Sequence, residues 1–253
     1  MIVKELMTGT VITLPHNAEL LTAVDLMVKH GFRHIPIIEG EIKVLTALGI
    51  INALINNGAN SLRDPVGKYG SDKFLRITMN EDASKVIKGL MMVDIDVALV
   101  FSGNELMGIV TRRDVVNKLP ENLIPNLRVH EVANKNPVCV REDASILDAM
   151  RTMVSHGIRR LLVTEGEKLV GILSVKDVLN HVNKQYRLRG QVDFGIPVSR
   201  VMSHNPITID SAASLLDAVR VMRRNNIGSL PVTEKSRLLG LITEYDIVSR
   251  VTI

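Results

Sequence analysis

The chain has 253 residues, enough to bury a substantial core and to hold more than one domain. Apolar residues make up 46% and charged residues 23%, no apolar run nears the roughly 18 residues of a membrane helix, and a net charge of +4 is too mild to mark a dedicated nucleic-acid binder. Cys139 is the single cysteine, which excludes an intrachain disulfide and a multi-cysteine metal site; with no tryptophan, three tyrosines and four phenylalanines there is little to stack nucleobases.

The opening MIVKELMTG carries Lys4 and Glu5 and builds no apolar stretch with a small-residue cleavage site, which predicts a cytoplasmic protein. Segments starting at Val3, Val66, Val129 and Val198 then align with one another, the first two steps spanning 63 residues and the last 69. Each opens with a short polar helix or turn, such as VKELMTG, VHEVANK or VSRVMSH. An extended stretch follows at Val11–Leu14, Phe74–Ile77, Val138–Val140 and Ile207–Ile209. In the third of these, the alternation around Cys139 predicts a small, buried or half-buried packing role. A helix comes next, with apolar residues at helical spacing (Leu147, Met150 and Val154; Leu216, Val219 and Met222) that read as core. Two strands then form a hairpin: His34–Ile38 and Ile42–Leu45 about Glu39-Gly40, and Arg160–Val163 and Leu169–Leu173 about Glu165-Gly166. A last helix closes the unit, as at Lys176–Val182 and Tyr245–Val251.

The fold class is therefore α/β (α+β), with four repeats of strand, helix, strand, strand, helix over residues 1–62, 63–122, 126–186 and 195–253. One such unit buries too little surface to stand comfortably alone, so the repeats are expected to pair as 1–122 and 126–253. The two prolines of Pro120–Asn126 mark the boundary between pairs. The stretch Asn183–Ile196, with its basic run Lys184 to Arg189, reads as a longer connection between the third and fourth repeats.

The junction between the last strand and the last helix carries the chemistry. It reads Gly108-Ile-Val-Thr111-Arg-Arg-Asp114, Gly171-Ile-Leu-Ser174-Val-Lys-Asp177 and Gly240-Leu-Ile-Thr243-Glu-Tyr-Asp246. A hydroxyl followed three residues later by an acid is also a capping box, and Ser145–Asp148 and Ser214–Asp217 repeat that spacing with no other signal beside them. The recurrence at one register, after a glycine and a buried strand, favours a ligand. A carboxylate there can accept both hydroxyls of a ribose, and the hydroxyl and helix start suit a phosphate.

The repeat order and the G-h-h-S/T-x-x-D motif resemble CBS domains, which pair into Bateman modules; the likeness covers nearly the whole chain, in four copies, as in the γ subunit of AMP-activated protein kinase. The resemblance implies a non-catalytic regulatory sensor holding AMP, ADP or ATP in clefts between paired repeats. It places Asp114, Asp177 and Asp246 on ribose, with Thr111, Ser174 and Thr243 beside them. Basic residues at the start of the second strand would hold phosphates: Arg159 and Arg160 in the third repeat, Arg33 and His34 in the first. An exposed basic turn and a structural histidine are the plainer readings of these. The equivalent positions elsewhere are Asp96-Val97 and Gly228-Ser229, of which Ser229 can donate a hydrogen bond. The first repeat departs from the pattern, with Lys43 in the glycine position and Gly49 in the aspartate position, so a ribose is not expected there.

No HExxH, P-loop or G-x-S-x-G is present, so no enzyme is expected, and no catalytic or metal residues are assigned. Two alternatives stay open. One is a nucleic-acid-binding or protein-interaction scaffold using Arg112-Arg113, Arg187/Arg189 and Arg223-Arg224; the other is S-adenosylmethionine as the adenosine ligand. An unidentified regulated protein and a homodimer are the expected macromolecular partners.

Overall fold

The computed structural model describes residues 1–93 and 95–251. In the first repeat, α1 (Val3–Leu6) is followed by α2 (Leu20–His30), β1 (His34–Ile37), β2 (Lys43–Thr46) and α3 (Ala47–Asn57). The second holds β3 (Leu75–Thr78), α4 (Ala83–Gly89), β4 (Val97–Ser102), β5 (Glu105–Thr111) and α5 (Arg112–Lys118). The third runs α6 (Val129–Val132), β6 (Cys139–Arg141), α7 (Ile146–Ser155), β7 (Arg160–Glu165), β8 (Lys168–Ser174) and α8 (Val175–Arg189). The fourth runs β9 (Ser203–His204), β10 (Ile209–Asp210), α9 (Leu215–Asn225), β11 (Ser229–Glu234), β12 (Arg237–Thr243) and α10 (Glu244–Val248). No helix among the described residues is long and apolar enough to cross a membrane.

Three sheets share one plan: the first strand runs parallel to the second, which forms an antiparallel hairpin with the third. The first repeat keeps only the hairpin. Its Val11–Leu14 stretch, expected as a strand, contributes a single parallel bridge, Leu14 to Ile37, because Pro36 lacks the N–H that would extend the ladder. The amphipathic helices form where the apolar spacing put them, and Ser145 and Ser214 start α7 and α9 as caps, accepting the backbone N–H of Asp148 and Asp217 at 3.1 and 3.0 Å.

Two expectations fail. Residues 183–189 are not a connection but the last turns of α8, because no breaker intervenes before Gly190, which ends the helix in the left-handed conformation at φ 68°. Within them, Arg187 pairs with Asp25, and Tyr186 accepts a hydrogen bond from Arg63 at 3.1 Å. Cys139 is exposed rather than packed, since β6 lies at the sheet's edge, on the far side of β7 from β8, and turns that side chain outward.

The chain gathers into two compact units. One joins Ile12–Asp72 to Val138–Pro206, the bodies of the first and third repeats. Here α2 packs on α8, and α3 on α7 and α8, around Leu20, Val24, Met27, Ile50, Leu54, Met150, Met153 and Val178, all fully buried or nearly so. Each such side chain contributes about 1.5–3 kcal/mol of burial. The other joins Met1–Val11, Lys73–Pro137 and the chain from Ile207, the bodies of the second and fourth repeats. There α5 packs on α9 and α10 around Val86, Val115, Val116, Leu215, Val219, Met222 and Ile247. Compactness thus groups alternate repeats, since the widest apolar faces are helical. The stretch Pro120–Asn126 lies inside the second of these units, with Ile124 buried.

Chain-order neighbours are tied differently, by exchange of their leading segments. Thr8 bridges Ile109 in β5, and Ser71 bridges Val44 in β2. Likewise Asn134 bridges Leu241 in β12, and Ser203 pairs with Ile172 in β8. The first repeat's segment therefore completes the second repeat's sheet and the reverse, and the third and fourth do the same.

Candidate functional site

The glycine of the motif serves this exchange. A Cβ on Gly240 would lie 2.4 Å from the Asn134 carbonyl oxygen, on Gly108 2.7 Å from Met7 Sδ, and on Gly171 2.4 Å from Met202 Sδ. The first repeat, with Lys43 instead, moves its glycine to the docked segment: a Cβ on Gly70 would meet the Lys43 Cβ at 2.8 Å. The apparent defect is a compensated pair.

Three residues on, the hydroxyl and the acid cap the last helix. Thr111 donates its backbone N–H and its hydroxyl to Asp114 Oδ2 at 2.8 and 2.6 Å, Ser174 to Asp177 Oδ2 at 2.8 and 2.5 Å, and Thr243 to Asp246 Oδ2 at 2.8 and 2.7 Å. Each hydroxyl has thus committed its only proton to the carboxylate, and Ser174 Oγ in turn accepts the Asp177 N–H at 3.3 Å, closing the capping box. In the first repeat Thr46 Oγ1 accepts the Gly49 N–H at 2.9 Å, so the cap survives without a carboxylate.

The second carboxylate oxygen distinguishes the three sites. Asp114 Oδ1 accepts the Thr8 hydroxyl at 2.7 Å, with Lys118 Nζ 3.8 Å away. Among the described residues, Asp177 Oδ1 receives only the Ser203 hydroxyl, at 3.5 Å. Thr8, Ser203 and Asn134 are equivalent residues of the docked segments, but Asn134 turns its side-chain oxygen back to accept the Asn136 N–H at 2.9 Å. Asp246 Oδ1 therefore has no hydrogen-bond donor among the described residues. Burial, the leading influence there, pushes the Asp246 carboxyl above the ordinary range against the pull of its Thr243 hydrogen bonds. This gradation from the docked segment was not legible in the motif.

The second-strand residues expected to read phosphate stand directly opposite the motif hydroxyls. Arg160 pairs with Ser174, Ser229 with Thr243, His34 with Thr46, and Val97 with Thr111. Arg159 and Arg33 each accept, through their carbonyls, the first N–H of the following helix, from Val175 at 3.0 Å and from Ala47 at 2.9 Å. His34 and Ser229 are buried; Arg33, Arg159 and Arg160 are half-buried. Lys176 lines a small cavity with Arg33, Phe32 and Ala47, where the C-terminal end of α2 meets α8.

Three of the six arginines named for a basic patch, Arg112, Arg113 and Arg223, are internal struts. Arg112 is buried, donating to the carbonyls of Leu90 and Ile95 and pairing with Asp96. Arg113 pairs at 2.8 Å with Glu244, itself 3% exposed. Arg223 donates to the carbonyls of Val116 and Leu119, which end α5, at 2.7 and 2.5 Å. Sequence spacing alone does not separate such struts from a solvated basic face.

Fold and site together define a tandem-repeat α/β protein whose strand-to-helix turns present capping carboxylates. The model of the CBS domain matches residues 3–55, 129–184 and 198–252, and the chain belongs to that family. The second repeat, with Asp96, Val97 and Arg112 at its turns, lies outside those matches. An uncharacterized 33.4 kDa protein in a ribosomal RNA operon of Thermofilum pendens is 26% identical, over 93% of this chain and 86% of that one. Among solved structures, protein MJ1225 of Methanocaldococcus jannaschii, described as a candidate archaeal homologue of the AMP-activated kinase γ subunit, superposes with a TM-score of 0.85 at 21% identity, over 98% of this chain and 99% of that one. A conserved protein of Pyrococcus horikoshii gives 0.67 at 19% identity, over 98% and 99%. At these identities the likeness is one of fold.

Proposed function

We propose that this chain is a non-catalytic regulatory sensor that binds adenine nucleotides (AMP, ADP or ATP) at the strand-to-helix turns of its third and fourth repeats. The observation that carries this reading is the carboxylate set at one register: Asp246 offers an open oxygen and Asp177 one held only at 3.5 Å. A ribose supplies two hydroxyl donors to such an acceptor, which suits a desolvated carboxylate lacking them. Asp114, already bonded by Thr8 and Thr111, is the weakest of the three, and Gly49 leaves the first repeat as scaffold. The carboxylates serve as caps and hydrogen-bond acceptors, and that arrangement supports binding rather than bond-making. A nucleotide that prefers one conformation shifts the chain toward it, and with it the surface offered to a regulated protein in the cytoplasm.

The test is a thermal-shift and calorimetry panel of AMP, ADP, ATP and S-adenosylmethionine on wild type, Asp177→Ala and Asp246→Ala. Ligand at a hundredfold its Kd stabilises by about 2.7 kcal/mol. For a chain of this size that is a rise in Tm of roughly 5–11 °C. No shift in wild type by any adenosine compound, or unchanged binding in both variants, overturns the proposal.

A further inference from the structure

One residue of a docked leading segment meets each strand-to-helix turn, always at the same register. Thr8 bridges Ile109, Asn134 bridges Leu241 and Ser203 pairs with Ile172, and each of these strand partners is the residue after the motif glycine. The Thr8 N–H reaches the Ile109 carbonyl at 2.8 Å and the Ile109 N–H reaches the Thr8 carbonyl at 3.0 Å. Asn134 and Leu241 exchange the same two bonds, both at 2.9 Å. The second and fourth turns therefore differ here in side chain rather than in docking.

That side chain decides what reaches the outer oxygen of the acid. Thr8 donates its hydroxyl to Asp114 Oδ1 at 2.7 Å, whereas the Ser203 hydroxyl stands 3.5 Å from Asp177 Oδ1. Asn134 turns its oxygen to the Asn136 N–H at 2.9 Å and, among the described residues, brings no donor to Asp246. The second repeat adds a clasp. Lys118 Nζ donates to the Leu6 and Met7 carbonyls at 2.9 and 2.6 Å and lies 3.8 Å from Asp114 Oδ1. His181, four places after Asp177 as Lys118 is after Asp114, instead bonds the Asp193 carbonyl at 3.0 Å.

A hydroxyl that donates to a carboxylate at 2.7 Å does what a ribose hydroxyl would do there. At Asp114 the chain supplies its own, held by a bridged backbone and a lysine, so an arriving ribose must displace it or share the oxygen. At Asp246 nothing has to be displaced. A hydrogen bond to a charged group contributes a factor of roughly ten or more to such a competition.

We infer that this one residue of the docked segment determines which turn accepts a ribose: Thr8, clasped by Lys118, closes the second repeat's turn, and Asn134 leaves the fourth's open. This rests on the proposed adenosine-binding function and assigns its specificity to residues outside the motif. Because leading segments are exchanged between neighbours, the first repeat, with no acid of its own at Gly49, sets the state of the second.

Calorimetry with AMP on the full chain tests it in two backgrounds. With Asp177→Asn and Asp246→Asn, which keep an acceptor for each cap, Asp114 is the one motif acid left. There Thr8→Val, which deletes the hydroxyl and keeps the branched shape, is expected to tighten AMP roughly tenfold or more. Thr8→Ser restores the hydroxyl and is expected to return the affinity to that of Thr8. Adding Asp114→Asn to Thr8→Val is expected to abolish the gain. With Asp177→Asn alone, Asn134→Thr is expected to weaken AMP at the Asp246 turn roughly tenfold or more. Thr8→Ala and Asn134→Ser carry the same tests should Thr8→Val or Asn134→Thr melt early. An AMP affinity unchanged by removal of the Thr8 hydroxyl, or by its introduction at Asn134, refutes the inference and leaves the adenosine-binding function standing. Failure of AMP to bind wild type refutes the two together.

Discussion

Gly240→Ala isolates the fit between a docked leading segment and the sheet it completes. The new Cβ would stand 2.4 Å from the Asn134 carbonyl oxygen and 3.2 Å from its carbon, both backbone atoms, so no side chain can rotate out of the way. The segment must retreat and lose the reciprocal pair Asn134 N–H to Leu241 O and Leu241 N–H to Asn134 O, both 2.9 Å. Two such bonds contribute about 1–3 kcal/mol net. Overpacking adds about 1–3 kcal/mol. A total near 2–6 kcal/mol predicts a fall in Tm of roughly 4–24 °C by differential scanning calorimetry. Gly171→Ala is the control: the three atoms nearest its Cβ all belong to the Met202 side chain, whose thioether can swing aside, so the cost is about 1 kcal/mol. A Gly240→Ala melt within 2 °C or so of wild type, or a larger loss for Gly171→Ala, would refute the docking argument.

Other substitutions probe the turns and struts. Because burial raises the Asp246 carboxyl, the folded chain holds that proton more tightly than the unfolded one. Stability should therefore fall as pH rises from about 4 through the raised folded value and level off above it, and Asp246→Asn should flatten that slope in urea titrations at several pH values. Arg112→Leu strands the Leu90 and Ile95 carbonyls and should cost about 2–4 kcal/mol by urea midpoint. Arg223→Lys replaces a fork that ends α5 with a point donor and should cost about 1–2 kcal/mol. If Arg223 were instead part of a nucleic-acid surface, the same change would leave stability alone and lower RNA affinity in a salt-dependent way.

The repeat itself was legible because its signals are local and periodic. The aligned starts Val3, Val66, Val129 and Val198 are each the first residue of the short opening helix. The Met and Leu stripes of α7 and α9 fell on buried or half-buried faces. What eluded the sequence depends on partners distant along the chain. Lys43 looked like a broken motif until Gly70 was seen against it, and Asp114 looked equal to Asp246 until Thr8 was found on its free oxygen. The arginine pairs misled for the same reason, since the carbonyls they cap lie from 17 to more than 100 residues away.

The exchange of leading segments has a consequence for how such a chain can be cut and duplicated. Each segment closes the outer edge of a neighbour's sheet, so no excised repeat carries its own edge cover. A fragment ending near residue 62 would keep the strand that wants Ser71 and a loose segment that wants Ile109. Its cheapest remedy is a second copy of itself, each lending the other the missing strand. The smallest piece that covers its own sheet edges is thus a pair of chain-order neighbours, whereas its helical faces still need the repeats that pack on them.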